Sequence, residues 1–158
     1  MKRIALIALA LAFVGSAFGQ ARKPLLYVHD DVNENNKPYI DAFKAAFDAE
    51  GIPYVEAAAP AVPDLSGFDL IVVHGIVRAF NMESPIRDWL KSGPPLAGKK
   101  ARIFITANRW SLKALEKDIR KLLAKDGAEI VDAVSMATKG VEKAAKDAAV
   151  SDFVKRMR

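Results

Sequence analysis

The sequence has no cysteine, and His29 and His74 are its only histidines among 158 residues. Without thiols there are no disulfides, cysteine nucleophiles, iron–sulfur clusters or cysteine-based zinc sites. Such a composition suits an oxidising compartment, where a free thiol is a liability. No Walker loop, HExxH motif, Ser-His-Asp order or paired glycosidase carboxylates occur. No basic stripe with interleaved aromatics and no helix–turn–helix signature is present, which argues against nucleic acid as a partner. The single long apolar run, Ile4 to Val14, is too short for a membrane span, which needs about 20 apolar residues.

That run has the pattern of an export signal. Lys2 and Arg3 precede it, and Gly15, Ser16, Ala17, Phe18 and Gly19 follow. Ala17 and Gly19 stand in the −3 and −1 relation that signal peptidase reads, so cleavage is expected before Gln20. No cysteine adjoins this position, so lipid attachment there is excluded. The expectation is a leader over 1–19 and one domain over 20–158, periplasmic or secreted and not membrane-spanning. A domain of that length buries roughly two-thirds of its unfolded surface and needs no staples.

Charge gives little direction. Lys and Arg number 24 against 19 Asp and Glu, a net +5, and without Lys2 and Arg3 the balance is +3. Both signs are interspersed, as on a solvated surface. Lys155, Arg156 and Arg158 read as a frayed basic tail with at most a weak attraction to anionic lipid.

After Gln20 the chain alternates between strand and helix patterns. Leu25 to Val28 is a short apolar strand. Asn33, Asn35, Asn36 and Pro38 mark a loop and a helix start. Ile40, Phe43 and Phe47 recur at helical spacing, with Ala46 on the same side, until Gly51 and Pro53 stop the helix. Tyr54 to Ala57 is a weaker strand, and Ala58 to Gly67, with two prolines, is a loop. Leu70 to Val73 is the strongest strand. Ser84 caps a helix with Pro85 in its first turn and Ile86, Trp89 and Leu90 on its apolar face. Arg102 to Thr106 is a fourth strand. Ser111 caps a helix striped by Leu112, Leu115, Ile119 and Leu122, which Gly127 ends. Glu129 to Val134 is a fifth strand, and a helix from Lys139 presents Val141, Ala145 and Ala148.

Five strands alternating with helices imply an α/β domain, a parallel sheet wrapped on both faces. Ligands of such sheets sit outside the carboxyl ends of the strands. The loops to inspect are therefore His29 to Asn36, His74 to Ser84 and Ala107 to Ser111.

Several stretches resemble flavodoxins, over nearly all of the chain after Gln20. Phe68-Asp69-Leu70-Ile71-Val72-Val73-His74-Gly75, then Ser84-Pro85-Ile86-Arg87-Asp88-Trp89-Leu90, is similar to their third strand and following helix. Leu96-Ala97-Gly98-Lys99-Lys100-Ala101-Arg102-Ile103-Phe104-Ile105-Thr106 is similar to their fourth strand, and Gly127-Ala128-Glu129-Ile130-Val131 to the entry into their fifth. The resemblance implies a doubly wound sheet of five parallel strands in the order 2-1-3-4-5, FMN as cofactor and electron transfer with a redox partner. Phe80 and Trp110 would lie against the flavin ring, and Asn81 and Asn108 at its polar edge. The family cradles the flavin phosphate in a loop rich in Ser, Thr and Gly.

Here that loop is His29-Asp30-Asp31-Val32-Asn33-Glu34-Asn35-Asn36-Lys37, with none of those residues and three carboxylates. At about 5 Å and an effective dielectric near 20, each carboxylate costs a phosphate roughly 3 kcal/mol. Two such contacts offset much of a micromolar affinity, about 8 kcal/mol. Lys37 and the amides of Asn33, Asn35 and Asn36 compensate only in part. The expected function is an exported flavin-binding electron carrier with a degraded phosphate site. The alternative is a cofactor-free periplasmic binding or interaction module on the same scaffold.

Other constellations compete. Asp30-Asp31 after a strand is similar to the acidic pair of response-regulator receivers, but His74 stands at the acceptor position and no lysine ends the fifth strand. His29, His74 and Asp30 could form a three-ligand site for zinc, copper or nickel. The competing reading makes both histidines hydrogen-bonded caps of strand ends. Arg78 and Arg109, on two loops of one cleft, would favour an anionic ligand.

Overall fold

A computed structural model describes residues 22–76 and 84–158. The expected leader lies outside the described residues. Five strands, β1 (Leu25–His29), β2 (Tyr54–Ala58), β3 (Leu70–Ile76), β4 (Lys100–Ala107) and β5 (Glu129–Ala137), form one parallel sheet in the order β2-β1-β3-β4-β5. Four helices connect or follow them: α1 (Lys37–Ala49), α2 (Pro85–Lys91), α3 (Leu112–Lys125) and α4 (Lys143–Lys155). The fold class and strand order agree with the sequence reading. Among the described residues, no helix is long and apolar enough to cross a membrane.

Alternation along the central strands sends side chains to two separate cores. On one face Leu26, Val28, Ile71, Val73, Ile103 and Ile105 pack with Ile86, Trp89 and Leu90 of α2 and Leu115, Ile119 and Leu123 of α3. On the other, Tyr27, Val72 and Phe104 pack with Tyr39, Phe43 and Phe47 of α1 and Val150, Phe153 and Val154 of α4. Phe43 is the hub of the second core. Its ring centroid lies 4.9 Å from Tyr27, 5.0 Å from Phe104 and 5.3 Å from His74. Burying each such ring contributes about 1.5–3 kcal/mol.

Gly75 lies where β3 passes beneath α3. A Cβ there would stand 2.7 Å from Ile119 Cδ1 and 3.2 Å from Ile105 Cδ1. With glycine here, the Ile119 and Ile105 side-chain tips need not shift.

Three local expectations change. Ser111 does not cap α3 through its side chain; its Oγ donates back to the Asn108 carbonyl at 3.0 Å. The third and fourth apolar turns of α3 seat Ile119 and Leu123, with Leu122 only half-buried. The last helix begins at Lys143 and buries Val150, Phe153 and Val154, while Ala145 and Ala148 are exposed. A face of small residues has little area to bury, so the helix docks by its larger apolar side chains instead.

The basic tail is not frayed. Arg156 Nη2 lies 2.9 Å from Asp132, which also takes Arg102 Nη1 at 3.0 Å, and Arg158 pairs with Glu50. A one-residue shift in the β4–β5 register sets Asp132 opposite Arg102, so the bulge at Val131 creates this pairing. Phe153 lies beneath both guanidinium groups, 5.7 Å from Arg156 and 6.0 Å from Arg102.

Candidate functional site

β1, β3 and β4 are adjacent and parallel, so the loops after them share one edge of the sheet. This is the edge where doubly wound sheets bind ligands. Asn33, Asn35 and Asn36 lie on the loop after β1, and Asn108, Arg109 and Trp110 on the loop after β4. β3 stands between β1 and β4 in the strand order, and the residues after it are 77–83. The candidates Arg78, Phe80 and Asn81 lie outside the described residues.

Trp110 is 60 % exposed. A large apolar ring held in water at the strand ends is a natural surface for a flat ligand. Arg109 beside it is exposed, and Asn108 is half-buried with its carbonyl taken by Ser111. Trp89, by contrast, is buried on the core face of α2, as its spacing predicted.

The loop after β1 has a different character. Asn36 is fully buried, and its amide nitrogen donates to the carbonyl oxygens of Asp31 at 2.5 Å and Asp30 at 3.4 Å. Its Oδ1 accepts from the Asn33 backbone N–H at 2.6 Å. Asn33 Oδ1 in turn accepts from the N–H groups of Asn35 at 2.9 Å and Asn36 at 3.2 Å. The asparagines thus build the loop itself, as Asx turns do. Lys37, the expected cation, pairs with Asp41 at 2.5 Å.

Asp30 is the largest departure from expectation. It is fully buried, and its carboxylate accepts the backbone N–H groups of Ile76 at 2.7 Å and Ile86 at 2.8 Å. Ser84 Oγ donates to it at 3.1 Å while accepting from the Arg87 N–H at 3.4 Å. The acid therefore ties the end of β1 to the end of β3 and to the cap of α2. Its anchor points, Ile76 and Ile86, lie on either side of residues 77–83 in the chain.

The histidines do not combine with Asp30 as a metal site, and no group of three potential ligands occurs among the described residues. His29 and His74 are paired in register across β1 and β3, but both rings are engaged elsewhere. His29 Nδ1 bonds the Asp30 carbonyl at 2.6 Å and its Nε2 meets Glu56 at 3.2 Å. His74 Nδ1 meets the Tyr27 hydroxyl at 2.8 Å and its Nε2 meets Thr106 Oγ1 at 3.2 Å. Burial, reinforced by nearby His29, lowers the His74 pKa to about 3. Burial also raises Tyr27 well above its ordinary value. Burial alone would raise Glu56, yet hydrogen bonds from Lys44 and His29 hold it below the usual carboxylate range.

Sequence reasoning missed Asp30 as an anchor, and missed the buried chain from Tyr27 through His74 to Thr106. A signal for the second was present. Tyr27 and His74 share an inward face once β1 and β3 are neighbours, and Thr106 follows two residues after the buried Phe104.

No protein-family model matches the chain, and no curated protein matches it in sequence. Solved structures do match. A flavodoxin from Fusobacterium nucleatum bound to flavin mononucleotide superposes with a TM-score of 0.70 at 9% identity, covering 86% of this chain and 97% of that one. Oxidised flavodoxin 2 from Bacillus cereus gives 0.64 at 20% identity, over 85% and 99%. The apo form of an NADH:FMN oxidoreductase gives 0.61 at 15% identity, over 85% and 90%. The chain has the flavodoxin-like fold.

Proposed function

We propose that this protein is exported and uses the loops at the carboxyl ends of β1, β3 and β4 to hold a flavin for electron transfer. The observation that carries the reading is Trp110, 60 % exposed at the ligand edge of a flavodoxin-like sheet. Its indole offers the flat apolar face that an isoalloxazine ring requires. Phe80, Asn81 and Arg78, which follow β3 in sequence, belong to the same reading, with Asn108 at the polar rim. A flavin bound there would supply the electron-carrying chemistry. The chain's own residues would stack on the ring and screen it from water.

The phosphate half of FMN does not fit what the chain provides. The N–H groups of Asn33, Asn35 and Asn36 are already bonded to asparagine oxygens, and Lys37 is paired with Asp41. The same bonding supports a second reading, a cofactor-free periplasmic binding or interaction module, because those three N–H groups find their acceptors within the chain.

Absorption and N-terminal sequencing of protein recovered from the periplasm separate these readings. A yellow protein beginning at or near Gln20 supports the exported flavin carrier. A colourless protein that takes up neither riboflavin nor FMN supports the module. An intact Met1 in a soluble cytoplasmic pool would remove export from both.

A further inference from the structure

In an open α/β sheet, the loop from a strand into a helix N-terminus usually leaves backbone N–H groups free, and these are the groups that take a phosphate. In the loop into α1 the N–H groups of Asn33, Asn35 and Asn36 are bonded to the chain's own asparagine oxygens. Asn33 N–H points to Asn36 Oδ1 at 2.6 Å. Asn35 N–H points to Asn33 Oδ1 at 2.9 Å. Asn36 N–H is shared between Asn33 Oδ1 and the Asn33 carbonyl, both at 3.2 Å, and that carbonyl also takes the Lys37 N–H at 2.9 Å.

Each carboxamide oxygen thus stands where an anion oxygen would otherwise accept, without the anion's charge. Asn36 is fully buried and fastened below by its bonds to the Asp30 and Asp31 carbonyls, so this arrangement belongs to the folded core of the loop. The surrounding charge agrees with it: Asp31 and Glu34 are acids, and the Lys37 ammonium is drawn to Asp41.

We infer that the loop is self-occupied, and that the ligand of the cleft is a flat aromatic heterocycle lacking a phosphoryl group, with riboflavin preferred to FMN. The ligand half of this inference rests on the flavin reading above; the loop half does not. It also differs from simple repulsion by the acids. The loop N–H groups are bonded to asparagine oxygens and not to the acids, so exchanging the exposed Asp31 for serine leaves them engaged.

Two measurements on the purified full-length chain test it. Calorimetric titration with riboflavin and with FMN, at low and high salt, should give riboflavin affinity equal to or greater than that for FMN. Asn33→Ser, at a half-buried position, replaces the carboxamide acceptor of the Asn35 N–H with a weaker hydroxyl and should shift the affinity ratio toward FMN by about tenfold. Asp31→Ser should shift it much less, and mainly at low salt. In parallel, inorganic phosphate should leave the amide resonances of Asn33, Asn35 and Asn36 unmoved in the unmodified protein and move them in Asn33→Ser. FMN binding about tenfold tighter than riboflavin to the unmodified chain would overturn the inference while upholding the flavin reading. Failure of both flavins to bind would overturn the flavin reading and the ligand half with it. Phosphate-shifted amides in the unmodified chain would overturn the loop half alone.

Discussion

Tyr27 and His74 face each other across β1 and β3, hydroxyl to Nδ1 at 2.8 Å, both wholly withdrawn from water. Thr106 completes the chain on the far side of the imidazole at 3.2 Å. Both hydroxyls can donate or accept, so a neutral ring of either tautomer is satisfied. A protonated ring would carry a charge into the aromatic cluster of Tyr39, Phe43 and Phe104. That opposition is what lowers the His74 pKa to about 3.

Stability should therefore fall on mild acidification. Unfolded His74 binds its proton near the ordinary value of 6.5, and folded His74 only near 3. Between those pH values the unfolded state holds the extra proton, so stability rises with pH and is lost as pH falls. The slope for one such group approaches about 1.4 kcal/mol per pH unit. Urea titrations from pH 7 to 4 should show it, and His74→Gln should remove much of it. Glu56, whose pKa is lowered, acts with the same sign only below about the ordinary carboxylate value. A stability that is flat from pH 6 to 4 would contradict the buried neutral imidazole.

Asp30→Ala should be among the most damaging single changes. It strands the N–H groups of Ile76 and Ile86 and the Ser84 hydroxyl in the interior. Each orphaned buried donor costs about 1–3 kcal/mol, so a total near 3–5 kcal/mol is expected from chemical denaturation. Asp30→Asn keeps one acceptor oxygen and should lose less. If Asp30→Ala changes the denaturation midpoint no more than an exposed substitution such as Glu34→Ala, the anchor role is wrong.

Gly75→Ala probes the contact of β3 with α3. The new methyl would meet Ile119 Cδ1 at 2.7 Å, which costs about 1–3 kcal/mol if the core cannot give. Ile119→Val removes that carbon. The double variant should therefore be less destabilised than the sum of the two single changes, by at least about 0.5 kcal/mol. Strict additivity in thermal denaturation would show that the clash is relieved by other means.

The apolar rhythm carried most of the fold. Leu70 to Val73, the Phe43–Phe47 repeat, the Ser84-Pro85 opening and the Gly51 and Gly127 stops all mark local physics, and they fall where the elements begin and end. The α4 face was less legible, because Phe153 is chosen by its fit against Phe43 and Phe104, which are distant in sequence. Asp30 was misread for a related reason. An acid after a strand has the same local pattern whether it faces a ligand or the interior. Only the return of β3 and α2 beside it, bringing two N–H groups, decides which. The asparagines were correctly seen as loop-formers, but the pattern does not say whether their amides serve the loop or a ligand.

The flavin reading stands or falls most directly on Trp110. It is 60 % exposed, whereas Trp89, the only other tryptophan, is 8 % exposed on the core face of α2. In Trp89→Phe all remaining tryptophan emission comes from Trp110. A flavin stacking on its indole should quench that emission in a saturable way after inner-filter correction, and Trp110→Ala should weaken binding by about 1–3 kcal/mol, the cost of lost aromatic contact. Quenching should be similar for riboflavin and lumiflavin, because the ring makes the contact. A ligand lodged elsewhere would leave Trp110 bright while still showing heat in the calorimeter. If Trp110 stays bright at high micromolar flavin and no heat is released, the electron-carrier reading loses the residue that carries it, and the cofactor-free module becomes the better account of this fold.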